Sequence, residues 1–128
     1  MNPPYFFNSK VVSSSDVYKK EAKYDENILT WFNVAYSKLK SKGYLNFIFR
    51  SEYINIALEC LSNKWGDIRI FPLWPKIGKT SKLTIIQARK NSKSGVQLMP
   101  GLVLHNNDGT YTETCNKILN NKSYIHID

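Results

Sequence analysis

Asn2, Pro3, Pro4 and Tyr5 are the residues of this chain whose types and order best suit chemistry. The Asn2 side-chain carbonyl and the Pro3 backbone carbonyl are two neighbouring acceptors. Together they can take both N–H bonds of a planar amino group. An exocyclic amine on an aromatic ring is a weak nucleophile, because its lone pair is delocalised into the ring. Two fixed acceptors can draw such a nitrogen toward tetrahedral geometry and aim it at an electrophile. Pro3 and Pro4 supply the fixity, since each locks φ and brings no competing donor. Tyr5 offers a flat face to a base that has left its stack. Such work is positioning, and it calls for no metal and no base of unusual pKa. The bland reading of the same four residues is a proline-rich leader without a role.

The second group is cationic. The 128 residues carry a formal net charge of +8, which favours a polyanionic partner. Residues 65–100 hold Arg69, Lys76, Lys79, Lys82, Arg89, Lys90 and Lys93 against one acid, Asp67. Lys76, Lys79 and Lys82 lie in or beside the Pro75–Ser81 loop and are the candidates for RNA phosphate; a solvated basic face is their plain alternative. Lys90 and Lys93 follow a later strand and are expected at the opposite sheet edge. Trp74, set between Pro72 and Pro75, either flanks a base or plugs the core, and the core is favoured. Trp31 and Phe32 fit helix packing. His105 has no carboxylate or cysteine at ligand spacing and reads as structural. Asp108-Gly109 reads as turn chemistry rather than metal binding. Cys60 and Cys115 are far apart and outside any C-x-x-C spacing, as expected of reduced thiols in a cytoplasmic protein. No P-loop, zinc ligand set or nucleophile elbow is present. Neither a signal peptide nor an apolar run long enough for a membrane span is visible.

With 42% hydrophobic and 13% aromatic residues the chain can bury a core. Residues 6–23 read as a polar loop. A helix is expected from an Asp25 cap, with Ile28, Leu29, Phe32, Ala35, Tyr36 and Leu39 at helical spacing and Gly43 as its stop. Tyr44–Phe49 then reads as a strand buried on both faces. Ser51 opens a second helix with Tyr53, Ile54, Ala57, Leu58 and Leu61 on one side. Asp67–Phe71 is expected to be a strand ended by Pro72 and Pro75, and Leu83–Ala88 another. A turn at Asn91–Gly95, a strand at Leu102–His105, a tight turn at Asn106–Gly109 and a short helix from Thr112 to Leu119 complete the pattern. Strand–helix–strand order implies α/β layering on a parallel sheet. The carboxyl ends of its strands are where ligands sit, so residues 2–24, Arg50-Ser51-Glu52 and the Pro75–Ser81 loop are expected along one edge.

From Asn2 to Asn120 the sequence resembles the C-terminal half of class I methyltransferases of the tRNA(Val) adenine-N6 methyltransferase-like family. The resemblance rests on Asn2 to Tyr5, then Gly66-Asp67-Ile68-Arg69 and Pro72-Leu73-Trp74-Pro75. Gln87-Ala88-Arg89-Lys90, Pro100 to His105, Asp108-Gly109 and Tyr111-Thr112 extend it. It implies a Rossmann-like seven-stranded sheet whose last strand is antiparallel, with this chain holding the final three strands. It implies S-adenosylmethionine as methyl donor, tRNA as partner, and Asn2, Pro3, Pro4 and Tyr5 as catalytic residues. The family's glycine turn and ribose-holding acid have no counterpart here, so donor binding is expected from a complementing N-terminal fragment. On this reading 1–24 is the active-site loop, 25–120 the helices and last strands, and 121–128 a tail. An uncovered sheet edge would favour oligomers. Two rivals stand beside this reading: a non-catalytic RNA-binding remnant, and a methyltransferase acting on a protein glutamine.

Overall fold

A computed structural model describes residues 1–2 and 28–127. Helix α1 is described over 28–38, so the proposed Asp25 cap lies outside the described residues. Most of its apolar stripe packs as the spacing predicts, with Phe32 buried and Ile28, Ala35, Tyr36 and Leu39 against the core, but Leu29 is 42% exposed. Gly43 is not the stop. The helix ends several residues earlier, and Lys42 takes the left-handed turn at φ 64°. What holds this helix end is Lys90, whose Nζ donates to the carbonyls of Tyr36 at 2.5 Å and Leu39 at 2.7 Å. A cation there satisfies two orphaned carbonyls and meets the negative end of the helix dipole.

Strand β1, Tyr44–Arg50, follows. It is buried on one face only: Leu45, Phe47 and Phe49 point inward while Tyr44, Asn46 and Arg50 are exposed. The apolar Ile48, on the outer face, makes the sequence look continuous. A 3₁₀ turn at Ser51–Tyr53 leads into α2, Ile54–Leu61. Strand β2, Trp65–Trp74, runs through Pro72 rather than stopping there. Ile70 O accepts from Met99 N, and Trp74 O accepts from Leu104 N. Backbone groups alternate sides, so the donorless nitrogen of Pro72 faces the break between β4, Val96–Leu98, and β5, Leu102–Val103. No ladder bond is lost.

Strand β3, Leu83–Lys90, decides the architecture. It pairs antiparallel with both β1 and β2, and the sheet order is β1-β3-β2-β4 with β5 also on β2. The strand–helix–strand unit is therefore parallel as expected, but its two strands are not neighbours, because β3 lies between them. This antiparallel insertion is the last strand that the resemblance implied. Two short strands, β4 and β5, add to the three that the resemblance implied, both parallel to β2. Of the expected Leu102–His105 strand only its first half is in β5; His105 instead bridges Tyr111 across a tight turn. Helix α3, Glu113–Leu119, is capped by the Thr112 hydroxyl, which accepts from Cys115 N.

Both α1 and α2 cover the same face, where Phe32, Phe47, Ala57, Leu61, Ile86 and Ala88 form the core. Phe32 meets Phe47 edge-to-face at 5.0 Å. The opposite face carries a polar row in register, Asn46 beside Gln87 beside Arg69. Gln87 Nε2 donates to Asn46 Oδ1 at 2.9 Å, and Arg69 Nη1 donates to Gln87 Oε1 at 3.2 Å. Arg69 Nη1 also reaches the Ile127 carbonyl at 2.8 Å, tying the end of the chain across this face.

Candidate functional site

The strand directions bring three segments to one sheet edge. β1 ends at Arg50, β2 ends at Trp74, and β3 begins at Leu83, so the 75–82 loop and the Ser51–Tyr53 turn sit together there. Hydroxyls tie them. Ser51 Oγ is 2.7 Å from Thr84 Oγ1 and 3.0 Å from Ser81 Oγ, and Ser51 N donates to Lys82 O. The edge is thus a rigid rim for the lysines that border it.

The three lysines are not equivalent. Lys76 is half-buried and its Nζ donates to the Asn107 carbonyl at 3.0 Å, fastening the loop to the Asn106–Gly109 turn. Lys79 and Lys82 are exposed, and their ammonium groups have no bonding partner among the described residues. A groove of about 550 Å³ opens between Trp74, Lys76, Ile77, Gly78, Lys79, Thr80 and Val103. A second of about 380 Å³ lies between Arg50, Glu52, Thr80, Ser81 and Lys82. They meet at Thr80. Lys90 is a structural group on the opposite edge, and Lys93 follows it there in the 91–95 segment.

Asn2 is exposed, and Pro3, Pro4 and Tyr5 lie outside the described residues. Met1 marks where they depart. Its amine donates to the Asn46 carbonyl at 2.6 Å, and its side chain packs half-buried against the core. Lys90 N donates to Gly43 O and Ser51 N to Lys82 O, so the odd residues of β1 face β3. Asn46 O therefore faces the other way, along the edge of β1 with which no strand among the described residues pairs. Met1 lies against that edge beside the third residue of β1, nearer the strand's amino end than its carboxyl end.

Trp74 lies outside the buried core, against the favoured reading. Its Nε1 donates to Pro100 O at 3.0 Å, which anchors the ring, yet the residue is only half-buried and lines the larger groove. Gly101 makes this possible: a Cβ there would stand 2.7 Å from Trp74 Nε1 and 2.3 Å from Pro72 O. Trp31 is 42% exposed while Phe32 is buried. His105 is structural, bonded to Pro75 O through both its backbone N–H and Nδ1, and it stacks on Tyr111 at 4.7 Å. Asp108 is turn chemistry as read: the Thr110 hydroxyl and backbone N–H donate to its carboxylate and hold it below the usual carboxylate range. Burial raises the Cys115 thiol, and both cysteines are free. Sequence reading missed Gly101, Ile77 and Tyr111; only the Pro100-Gly101 pair carried a signal, that of a sharp turn.

Among the described residues no three His, Cys, Asp or Glu side chains gather as metal ligands, and no helix is long and apolar enough to cross a membrane. At the carboxyl edge the acids are Glu52, paired with Arg50 at 3.1 Å, and Asp108, satisfied by Thr110, so neither is disposed toward a ribose.

Neither a family model nor a curated protein matches the sequence. Among solved structures, a predicted O-methyltransferase from Agrobacterium tumefaciens superposes with a TM-score of 0.75 at 19% identity, over 98% of this chain. The chain thus has a mixed α/β, methyltransferase-like fold, and it spans about half the length of that structure (51%). The motifs that carried the sequence resemblance have structural duties here. Gly66 is obligatory because a Cβ would meet Ser92 O at 2.5 Å, and the 72–75 and 100–105 stretches pack on each other through Gly101.

Proposed function

We propose that this chain is the acceptor-binding half of an S-adenosylmethionine-dependent methyltransferase that modifies an adenine amino group in tRNA. The observation that supports this reading is Met1 lying beside Asn46 on the β1 side of a methyltransferase-like sheet, away from β3. In this reading Asn2 and the Pro3 carbonyl are the two acceptors for the amine, carried into a site at the carboxyl ends of the strands. The chemistry of two rigid acceptors supports an amine as the methyl acceptor. Lys79 and Lys82, unpaired on the same rim, support an RNA bearing it. Tyr5 is the stacking face in this scheme, and Lys76 serves mainly to hold the loop. The donor site belongs to a complementing fragment that pairs with β1; of the described acids at the carboxyl edge, Glu52 is held by Arg50 and Asp108 by Thr110. One rival is favoured by that same engagement of the acids: a non-catalytic RNA-binding module that keeps the lysines.

The test has two arms. Calorimetry of the chain alone with S-adenosylmethionine is expected to give no binding, and tight binding would overturn the two-fragment reading. Supplying a polypeptide with the donor half and unmodified tRNA is expected to yield N6-methyladenine by mass spectrometry. That product should vanish in Asn2→Ala. A complemented chain that binds tRNA and leaves it unmethylated would leave the RNA-binding module standing.

A further inference from the structure

Trp74, Ile77 and Val103 line a groove whose rim is cationic, an unusual pairing on a surface with no apolar partner. Ile77 is 82% exposed at the tip of a turn closed by Lys79 N on Lys76 O, with Gly78 at φ 72°. A lone exposed isoleucine means little. Here it extends a continuous apolar wall formed with Trp74 and Val103. The indole cannot swing out of that wall, being bonded to Pro100 O and backed by Gly101. On the far side of Lys76, beyond its bond to Asn107, Tyr111 stacks on His105 and is 48% exposed. The groove itself thus holds one fixed, part-exposed ring, Trp74, between Lys76 and Lys79.

We infer that the Trp74–Ile77–Val103 groove takes an unstacked base of single-stranded RNA, with Lys79 and Lys82 on the flanking phosphates. The inference rests on the RNA reading above and adds the contact that selects single strands. Phosphate contacts alone bind duplex and single strand alike, whereas a base can enter a side groove only when it is free of its pair. Aromatic stacking tolerates any base, so the groove selects a loop rather than a sequence. Charge complementarity favours a polyanion over an apolar peptide: the groove's rim is lined by Lys76 and Lys79 and by no acid.

The experiment uses the full chain and a labelled 12-nucleotide RNA, once single-stranded and once annealed to its complement. Emission from Trp74 is read in a Trp31→Phe background, since Trp65 is buried. The single strand is expected to quench Trp74 and to bind more tightly than the duplex. Ile77→Ala, an exposed change that leaves the fold intact, is expected to weaken single-strand binding about fivefold or more at constant salt dependence. Lys79→Ala with Lys82→Ala is expected to lower the salt slope by about 1.4. Equal affinity for both RNAs, or wild-type binding by Ile77→Ala, overturns the inference. Quenching that persists when the complemented protein fails to methylate would sink the catalytic reading and leave the groove assigned.

Discussion

A Cβ placed on Gly101 would stand 2.3 Å from the carbonyl oxygen of Pro72, so two stretches far apart in sequence meet backbone to backbone. Gly101 also holds φ 82°, where an L side chain is strained. The contact lets β5 continue beside β2 past the proline, and it seats the Trp74 ring. Gly101→Ala is expected to cost at least about 2 kcal/mol, from left-handed strain plus the clash. Urea unfolding will read it as a lower midpoint at unchanged slope. Gly109→Ala, also at positive φ (92°) but with open space around it, is expected to cost about 1 kcal/mol.

Lys90 and Lys93 separate a structural lysine from a solvated one. Lys90 Nζ bonds two carbonyls at the end of α1 and lies 4.2 Å from the Tyr36 ring centre. Lys90→Met keeps the aliphatic stem and leaves those carbonyls unpaired, for an expected loss of about 1–3 kcal/mol. Lys93→Met, at an exposed position, is expected to stay within about 0.5 kcal/mol of the parent. Thermal melts of the pair decide it.

These two cases mark how far the sequence could be read. Helical spacing in 28–39 and 53–61 was legible because one face of each helix meets the core. The carboxyl-edge position of the 75–82 loop followed from strand and loop order alone. β3 between β1 and β2 was not legible in any local pattern, since pairing partners are chosen by the sheet; the family resemblance supplied an antiparallel last strand but not its place. β4 left no trace, because Val96, Gln97 and Leu98 are all exposed and show no alternation. β2 was cut short because Pro72 reads as a stop, and nothing local reveals that its missing donor faces a gap. Of the candidate site, the difference between Lys76 and its neighbours depends on a turn some thirty residues later, which composition cannot report.

Acid should loosen the Asn106–Thr110 turn before the core. Thr110 donates twice to the Asp108 carboxylate and lowers its pKa below the ordinary value of 3.8. A folded-state pKa below the unfolded one means stabilisation that is full above the unfolded value and lost as pH falls through the folded one. Glu113, lowered by its bond to Lys117, acts in the same direction at the start of α3. Protection of the Thr110 amide, its exchange rate relative to the unstructured rate at the same pH, is therefore expected to fall below about pH 4 while Ile86 stays protected. In Asp108→Asn the Thr110 amide should lose that pH dependence. An unchanged profile in the variant would assign the effect elsewhere.

The outer edge of β1 should govern self-association of the isolated chain. Tyr44 and Asn46 turn their backbone N–H groups away from β3, and no strand among the described residues takes them. Such an edge templates pairing with another chain. Proline at an edge position whose N–H points outward removes one donor without breaking the ladder on the other side. Asn46→Pro meets that condition, because the β1–β3 bonds run through Gly43, Leu45, Phe47 and Phe49. The parent chain is expected to sediment as dimers or larger species at micromolar concentration, and Asn46→Pro to shift toward monomer with its far-UV dichroism preserved. The same variant should fail to pair with a complementing donor fragment, since that fragment needs the same donors. Sedimentation velocity on both proteins tests the claim: a monomeric parent, or a variant that associates equally, removes the β1 edge as the interface.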